Sequence, residues 1–280
     1  MIILYIVLGV LVALIITYLI LSVPRRQRER VGMEKLNVDY AHRGLWGGNI
    51  PENSIPAFAA AAANGYGIEL DVQLSSDGDV VVFHDYTLKR MCNDDVHLSS
   101  LRGAELSWRK LGDTEYTIPL FEDVLNTVKG RVPILVELKG ESRDTELCEA
   151  VSRILGHYDG KVCVESFNPY LLGWFRKHSP RMARGLLYTD VMKKSTGNRK
   201  NDFILTSMIS NIIARPDFLA VDEKCLDYFP VRLMIKFHKL TTFVWTVRGM
   251  ENYTKYRTMR LKSIFEGFLP EGKKEIKKNA

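Results

Sequence analysis

Short extended segments and helical segments alternate along most of this chain, and that alternation constrains the fold more than any other feature. Extended candidates read NVDYAHRG, GIELDVQL, DVVVFHD, VPILVELKG, KVCVESF, MARGLLY, DFLAVD, TTFVWTV and SIFEGF. Between most of them lie helical patterns such as SIPAFAAAAANG, FEDVLNTVKG, YLLGWFRKHS and ENYTKYRTMRL. Asn53, Asp202 and Asn168 are candidate caps for such helices. Strands joined through helices pair in parallel, because a parallel partner needs a long crossover. About eight such units favour a closed (βα)8 barrel of the TIM type over an open sheet. The 280 residues suit one domain of that kind. The stretch from Asp85 to Pro119 interrupts the alternation, so residues 86–118 are expected as a small insertion, too short for a separate domain.

Residues 1–23, MIILYIVLGVLVALIITYLILSV, carry no charged side chain. As a helix they are long enough to cross about 30 Å of hydrocarbon. A cleaved signal peptide competes with a retained transmembrane anchor. It calls for a basic start, a shorter apolar run and a small-residue cleavage site, and none is evident. The sequence PRRQRER follows at once, and basic residues flanking a span tend to stay in the cytoplasm. A single-pass protein of the cell membrane, with its bulk in the cytoplasm, is the expectation. The net charge of +6 sits mainly at the ends, with four Arg and one Glu in residues 25–30 and four Lys and two Glu in residues 271–280. The remainder is nearly neutral, which argues against nucleic acid and for a lipid bilayer as the partner of the basic stretch. The C-terminal lysines read equally well as a solvated tail. The expected organisation is an anchor at 1–23, a basic linker at 24–36, the barrel at 37–272 and a basic tail at 273–280. Cysteines at 92, 148, 163 and 225 show no CxxC spacing and are compatible with a reducing compartment.

Polar residues collect where the extended segments end. The first ends in His42 and Arg43, the second presents Glu69 and Asp71, and VVVFHD ends in His84. ILVELKG repeats the two-apart pattern with Glu137 and Lys139, VCVESF ends in Glu165 to Phe167, and FVWTV carries Trp245. In a barrel these ends share one mouth. Side chains two apart on a strand face the same way, so Glu69 and Asp71 crowd each other unless a cation or proton separates them. Three carboxylates, Glu69, Asp71 and Glu137, offer hard oxygen ligands that suit a divalent cation, Mg2+ or Ca2+. Taken one at a time, each residue has an ordinary explanation, such as a Glu137–Lys139 ion pair. Their joint appearance is what points to chemistry. His97, His157, His178 and His238 lack such company. Two histidines, a cation site and a nearby Arg and Lys suit cleavage of a phosphodiester. One imidazole removes a proton from the nucleophile and the other protonates the leaving alcohol. The cation and basic side chains neutralise the phosphoryl oxygens.

The stretches AHRG, PENS with IPAF, GIELDVQLSSDGDVVVFHD, IPLFEDVL, ILVELKG, ESFNPYLL and VWTV, in this order, resemble the glycerophosphodiester phosphodiesterase family. The likeness runs from about Asn37 to Gly272. It implies a (βα)8 barrel with a small insertion after the second histidine, His42 and His84 as acid and base, and Glu69, Asp71 and Glu137 as metal ligands. It further implies that Arg43 and Lys139 hold the phosphate and that Glu52 and Trp245 shape the mouth. A substrate hydroxyl beside the ester, on this resemblance, forms a cyclic phosphate that water then opens. Two departures stand out: Arg248 follows WTV where the family usually has Asn, and FEGFLPEG replaces the usual V-D-G-I-x-T-D, with Glu266 and Gly267 standing for Asp-Gly. Three functions follow. The first is hydrolysis of glycerophosphodiesters, the second a lysophospholipase D acting on lysophospholipid at the membrane surface, and the third a non-catalytic tethered barrel.

Overall fold

The computed structural model describes residues 1–30, 32–140, 144–194 and 197–270. The expected basic tail at 273–280 and the barrel limit at 272 lie outside the described residues. Alternating strand and helix patterns become a ring of parallel strands: β1 (Tyr40–Ala41), β2 (Gly67–Leu74), β4 (Ile134–Leu138), β5 (Val162–Ser166), β6 (Ala183–Tyr188), β7 (Phe218–Asp222), β8 (Thr241–Arg248) and β9 (Lys262–Glu266). Each pairs with the next, and β1 pairs with both β2 and β9, which closes the barrel. The short strand β3 (Val80–Val82) folds back antiparallel on β2, pairing Val82 with Val72 around the Ser-Asp-Gly turn.

The two-residue period of the strands sorts side chains between two layers. Ile68, Leu70, Val72, Val136 and Val164 face outward and pack under helical residues Phe58, Val124, Val128, Val151 and Phe175. The opposite positions form the barrel interior, where Leu135, Cys163, Phe218, Phe243 and Ile264 make an apolar floor. Tyr40 and Phe218 both meet Phe243 edge to face, at 5.4 and 5.1 Å. Such pairs add roughly 0.5–1.5 kcal/mol each beyond area burial. Room for Phe218 comes from Gly185, where an added Cβ would stand 2.0 Å from the ring.

Residues 24–36, expected as a basic linker, pack against the barrel over part of their length. Met33 and Leu36, on the short helix Met33–Leu36, join the interior cluster and plug the barrel floor. Arg25 pairs with Asp217 at 3.3 Å, and Arg30 donates to the carbonyls of His238 and Lys239. An open barrel end exposes apolar floor to water, and this segment covers it. Two cap assignments also change. Ser54, not Asn53, caps the helix Ile55–Ala63, and Asn198, not Asp202, caps Arg199–Thr206. Asn168 does cap Pro169–His178, accepting from the Tyr170 amide.

The excursion after His84 folds over a satellite cluster of Phe83, Leu88, Leu98, Leu106, Leu111 and Ile118. At the N-terminus, helix Ile2–Ser22 is exposed along most of its length, and it is the one described helix long and apolar enough to cross a membrane. Its end meets the barrel: Ser22 is buried, and its carbonyl accepts from Asn211 at 2.8 Å.

Candidate active site

The acidic layer follows from strand register. Asp71 on β2 pairs with Glu137 on β4, and Glu137 pairs with Glu165 on β5, so consecutive strands present carboxylates at neighbouring heights. Glu69 lies one inward position below Asp71. Ligand oxygens of Glu69, Asp71 and Glu137 come within 4.8 Å of one another, and all three side chains are buried. Lys139 extends its ammonium to Glu137 at 3.0 Å and Asp71 at 3.4 Å. Arg43 stands 3.4 Å from Asp71 through Nε, and its backbone amide donates to Glu69 at 2.9 Å. Reaching both requires a left-handed backbone at Arg43, φ +58°, a cost of order 1–3 kcal/mol that surrounding contacts must hold. Gly44 completes the turn because a Cβ there would meet Ala57 at 2.8 Å.

Charge does not balance within this cluster. Burial pushes Asp71 upward, but Lys139 and Arg43 outweigh it and hold the group far below the usual carboxylate range. Burial and then Asp71 push Glu137 up to about 7, and burial with the two neighbouring carboxylates raises Glu69 well above its ordinary value. Glu165 is raised for the same reasons, burial first, and its Oε2 is buried without a hydrogen-bond partner. Four acids therefore share two cationic side chains. Asp71 Oδ1, buried with an ion pair to Lys139 but no hydrogen bond, and an all-oxygen donor set fit a divalent cation of the Mg2+ or Ca2+ kind.

Each histidine is held through Nδ1 by a carboxylate, which leaves Nε2 for proton transfer. His42 follows β1 and sits 2.5 Å from Glu266, whose other oxygen pairs with Arg248. His84 follows β3 and sits 2.6 Å from Asp85. Burial lowers His84 below the ordinary imidazole value, partly offset by Asp71. Asp85 and Glu52 both bind Arg90, each at 2.6 Å, and Glu52 accepts from Arg43 at 2.7 Å. Glu52 thus ties the two histidine-bearing turns together. Trp245, half buried above the apolar floor, lies edge-on to Phe167 at 5.7 Å with its indole N–H unpartnered.

Five residues of this site were not assigned roles from sequence. Asp85 directly follows His84, Asn53 lies inside PENS, and Glu165 continues the acidic pattern one strand later, so each had a local signal. Asn53 donates to Asp71 at 2.8 Å. Glu266 was legible only as a departure from a pattern, and Arg90, inside the excursion, had no signal.

Residues 42–268 match the glycerophosphoryl diester phosphodiesterase family. The chain belongs to that family. A glycerophosphodiester phosphodiesterase of Bacillus altitudinis is 36% identical over 165 residues, 55% of this chain and 67% of the relative. A lysophospholipase D of Homo sapiens is 30% identical over 159 residues, 52% of this chain and 49% of that protein. Among solved structures, the glycerophosphodiester phosphodiesterase of Thermotoga maritima superposes with a TM-score of 0.62 at 28% identity, over 82% of this chain and 94% of its own. An Oleispira antarctica phosphodiesterase, solved with the product sn-glycerol-3-phosphate, reaches a TM-score of 0.68 over 82% and 92%. At 24% identity that second likeness speaks for the shared fold.

Proposed function

We propose that this phosphodiesterase is tethered to a membrane by Ile2–Ser22 and hydrolyses a glycerophosphodiester to an alcohol and glycerol phosphate with a divalent cation. One observation carries the reading: three buried carboxylates crowd within 4.8 Å, close to two histidines that are each held by a carboxylate. Glu69, Asp71 and Glu137 hold Mg2+ or Ca2+, which when bound neutralises charge on the phosphoryl oxygens. Lys139 and Arg43 bear on the same oxygens and fix the phosphate.

His84, kept neutral by its burial, takes the proton of the attacking hydroxyl at Nε2. His42, steadied by Glu266, gives its Nε2 proton to the departing alcohol oxygen as that P–O bond breaks. When the attacking group is the glycerol hydroxyl beside the ester, the first product is a cyclic phosphate. The histidines then exchange roles as water opens the ring. Phe167 and Trp245 form an apolar wall for the glycerol carbons.

Activity on lysophospholipid is a second reading, favoured by Phe167 and Tyr170, both exposed at the mouth. Arg25 to Arg30, next to the span, support a cytoplasmic barrel at the cell membrane. A reporter fused after Ala280 tests that side, and an external signal removes it. Turnover of glycerophosphocholine and lysophosphatidylcholine, each with and without EDTA, separates the substrates. His84→Ala should abolish turnover with the fold intact, and a fully active variant sinks the mechanism.

A further inference from the structure

The N-terminal helix has a direction relative to the barrel. Tyr18 packs 6.3 Å from Phe229, the first residue of the helix after β7, at the carboxyl ends of the strands. One turn later Ser22 binds Asn211, and Arg25 then meets Pro216 and Asp217, just before β7 begins. Arg30 reaches His238 and Lys239, just before β8. From Tyr18 to Arg30 the chain therefore descends the barrel wall from the mouth to the floor. Followed backwards, Thr17 to Ile2 rises past the mouth by about 24 Å, most of a hydrocarbon core of about 30 Å. No charged residue separates this exposed length from the turn packed on the barrel.

Beside the helix, the segment after β6 exposes Met192, Phe203 and Ile204 with Arg199 and Lys200, and Phe229 is 69% exposed. Apolar side chains interleaved with basic ones suit the boundary between acyl chains and acidic headgroups. The opposite end exposes Phe237 and Met259, without a helix beside them that leads into a membrane.

Resting on the reading of Ile2–Ser22 as a membrane span, we propose that the catalytic mouth faces the bilayer. Met192, Phe203, Ile204 and Phe229 sit in the lipid interface, and Arg199 and Lys200 bind acidic headgroups. Substrate then enters from the membrane side. Arg25 to Arg30 lie at the far end of the wall, about 17 Å away for a five-residue strand, so the lipid contact that their charge suggested passes to the β6 segment.

The test uses the full chain in vesicles of phosphatidylcholine and phosphatidylglycerol that carry a doxyl-labelled lipid. A fluorophore is placed at Phe203→Cys or at Met259→Cys, both exposed, in a Cys92→Ser background. An alkaline carbonate wash comes first, and protein lost to the wash removes the tether and this proposal together. For retained protein, strong quenching at position 203 with none at 259 is the expected result. Equal quenching, the reverse pattern or none at either position overturns the orientation and leaves the tether standing. Neither readout depends on turnover, so the catalytic reading stands or falls separately.

Discussion

Glu266 stands where the family pattern usually has Asp, and its bond to His42 makes it the most informative residue to change. Glu266→Gln keeps the shape and removes the charge from a 2.5 Å contact whose two side chains are only 16% and 10% exposed. A hydrogen bond to a charged group contributes about 1.5–3 kcal/mol net, and 1.4 kcal/mol is tenfold in rate. The expected loss in kcat is therefore about 10–150-fold. KM should change little, because the contacts of Glu266 are to the His42 imidazole and to Arg248. Arg248→Ala removes the outer partner, but that guanidinium is 68% exposed, so its pair contributes about 0–1 kcal/mol and the loss stays within about fivefold. Steady-state rates on glycerophosphocholine at saturating divalent metal measure both. Burial alone would raise Glu266, yet His42 and Arg248 hold it below the usual carboxylate value. The stability it contributes is thus present above the ordinary carboxylate range and is lost as pH falls through its own depressed value. Melting curves of wild type and Glu266→Gln should differ at pH 7 and converge only once the pH has fallen below that depressed value. A Gln variant with wild-type kcat and pH profile refutes the claim that this carboxylate positions His42.

Removing divalent metal with EDTA should abolish turnover and lower the melting temperature, since Glu69, Asp71 and Glu137 then face one another with only Lys139 and Arg43 to offset their charge; excess Mg2+ or Ca2+ should restore both. Asn53→Ala strips a 2.8 Å donor from buried Asp71, and urea unfolding should show a loss of about 1–3 kcal/mol. Gly185→Ala drives a methyl to 2.0 Å from the Phe218 ring, so the same assay should report about 1–3 kcal/mol of destabilisation with activity per folded molecule near wild type.

The barrel was legible because period-2 and period-3.6 patterns alternate in plain view. The hairpin of β2 and β3 was equally plain, for Ser-Asp-Gly marks a turn between two valine-rich runs. Within the site, Glu69 and Asp71 announced each other, as two acids two apart must share a face. The bond of Glu52 to Arg90 was not legible, because it depends on an excursion whose packing has no periodic signature. The packing within residues 24–36 was hidden for a related reason: Met33 and Leu36 are too few to show a pattern, and their burial is set by the barrel floor they cover.

Local chemistry along the chain was enough to specify strand and helix, the inward acids, the histidines at strand ends and an apolar helix ahead of them, since each depends on neighbours a few residues away. Which carboxylate grips His42 was settled by folding. Glu266 meets His42 across 224 positions because the last strand closes on the first. The path of the N-terminal helix toward the mouth has the same origin, because the contacts of Tyr18 and Arg25 join residues about two hundred positions apart. No run of sequence encodes those distances; they exist only once the ring of strands has shut.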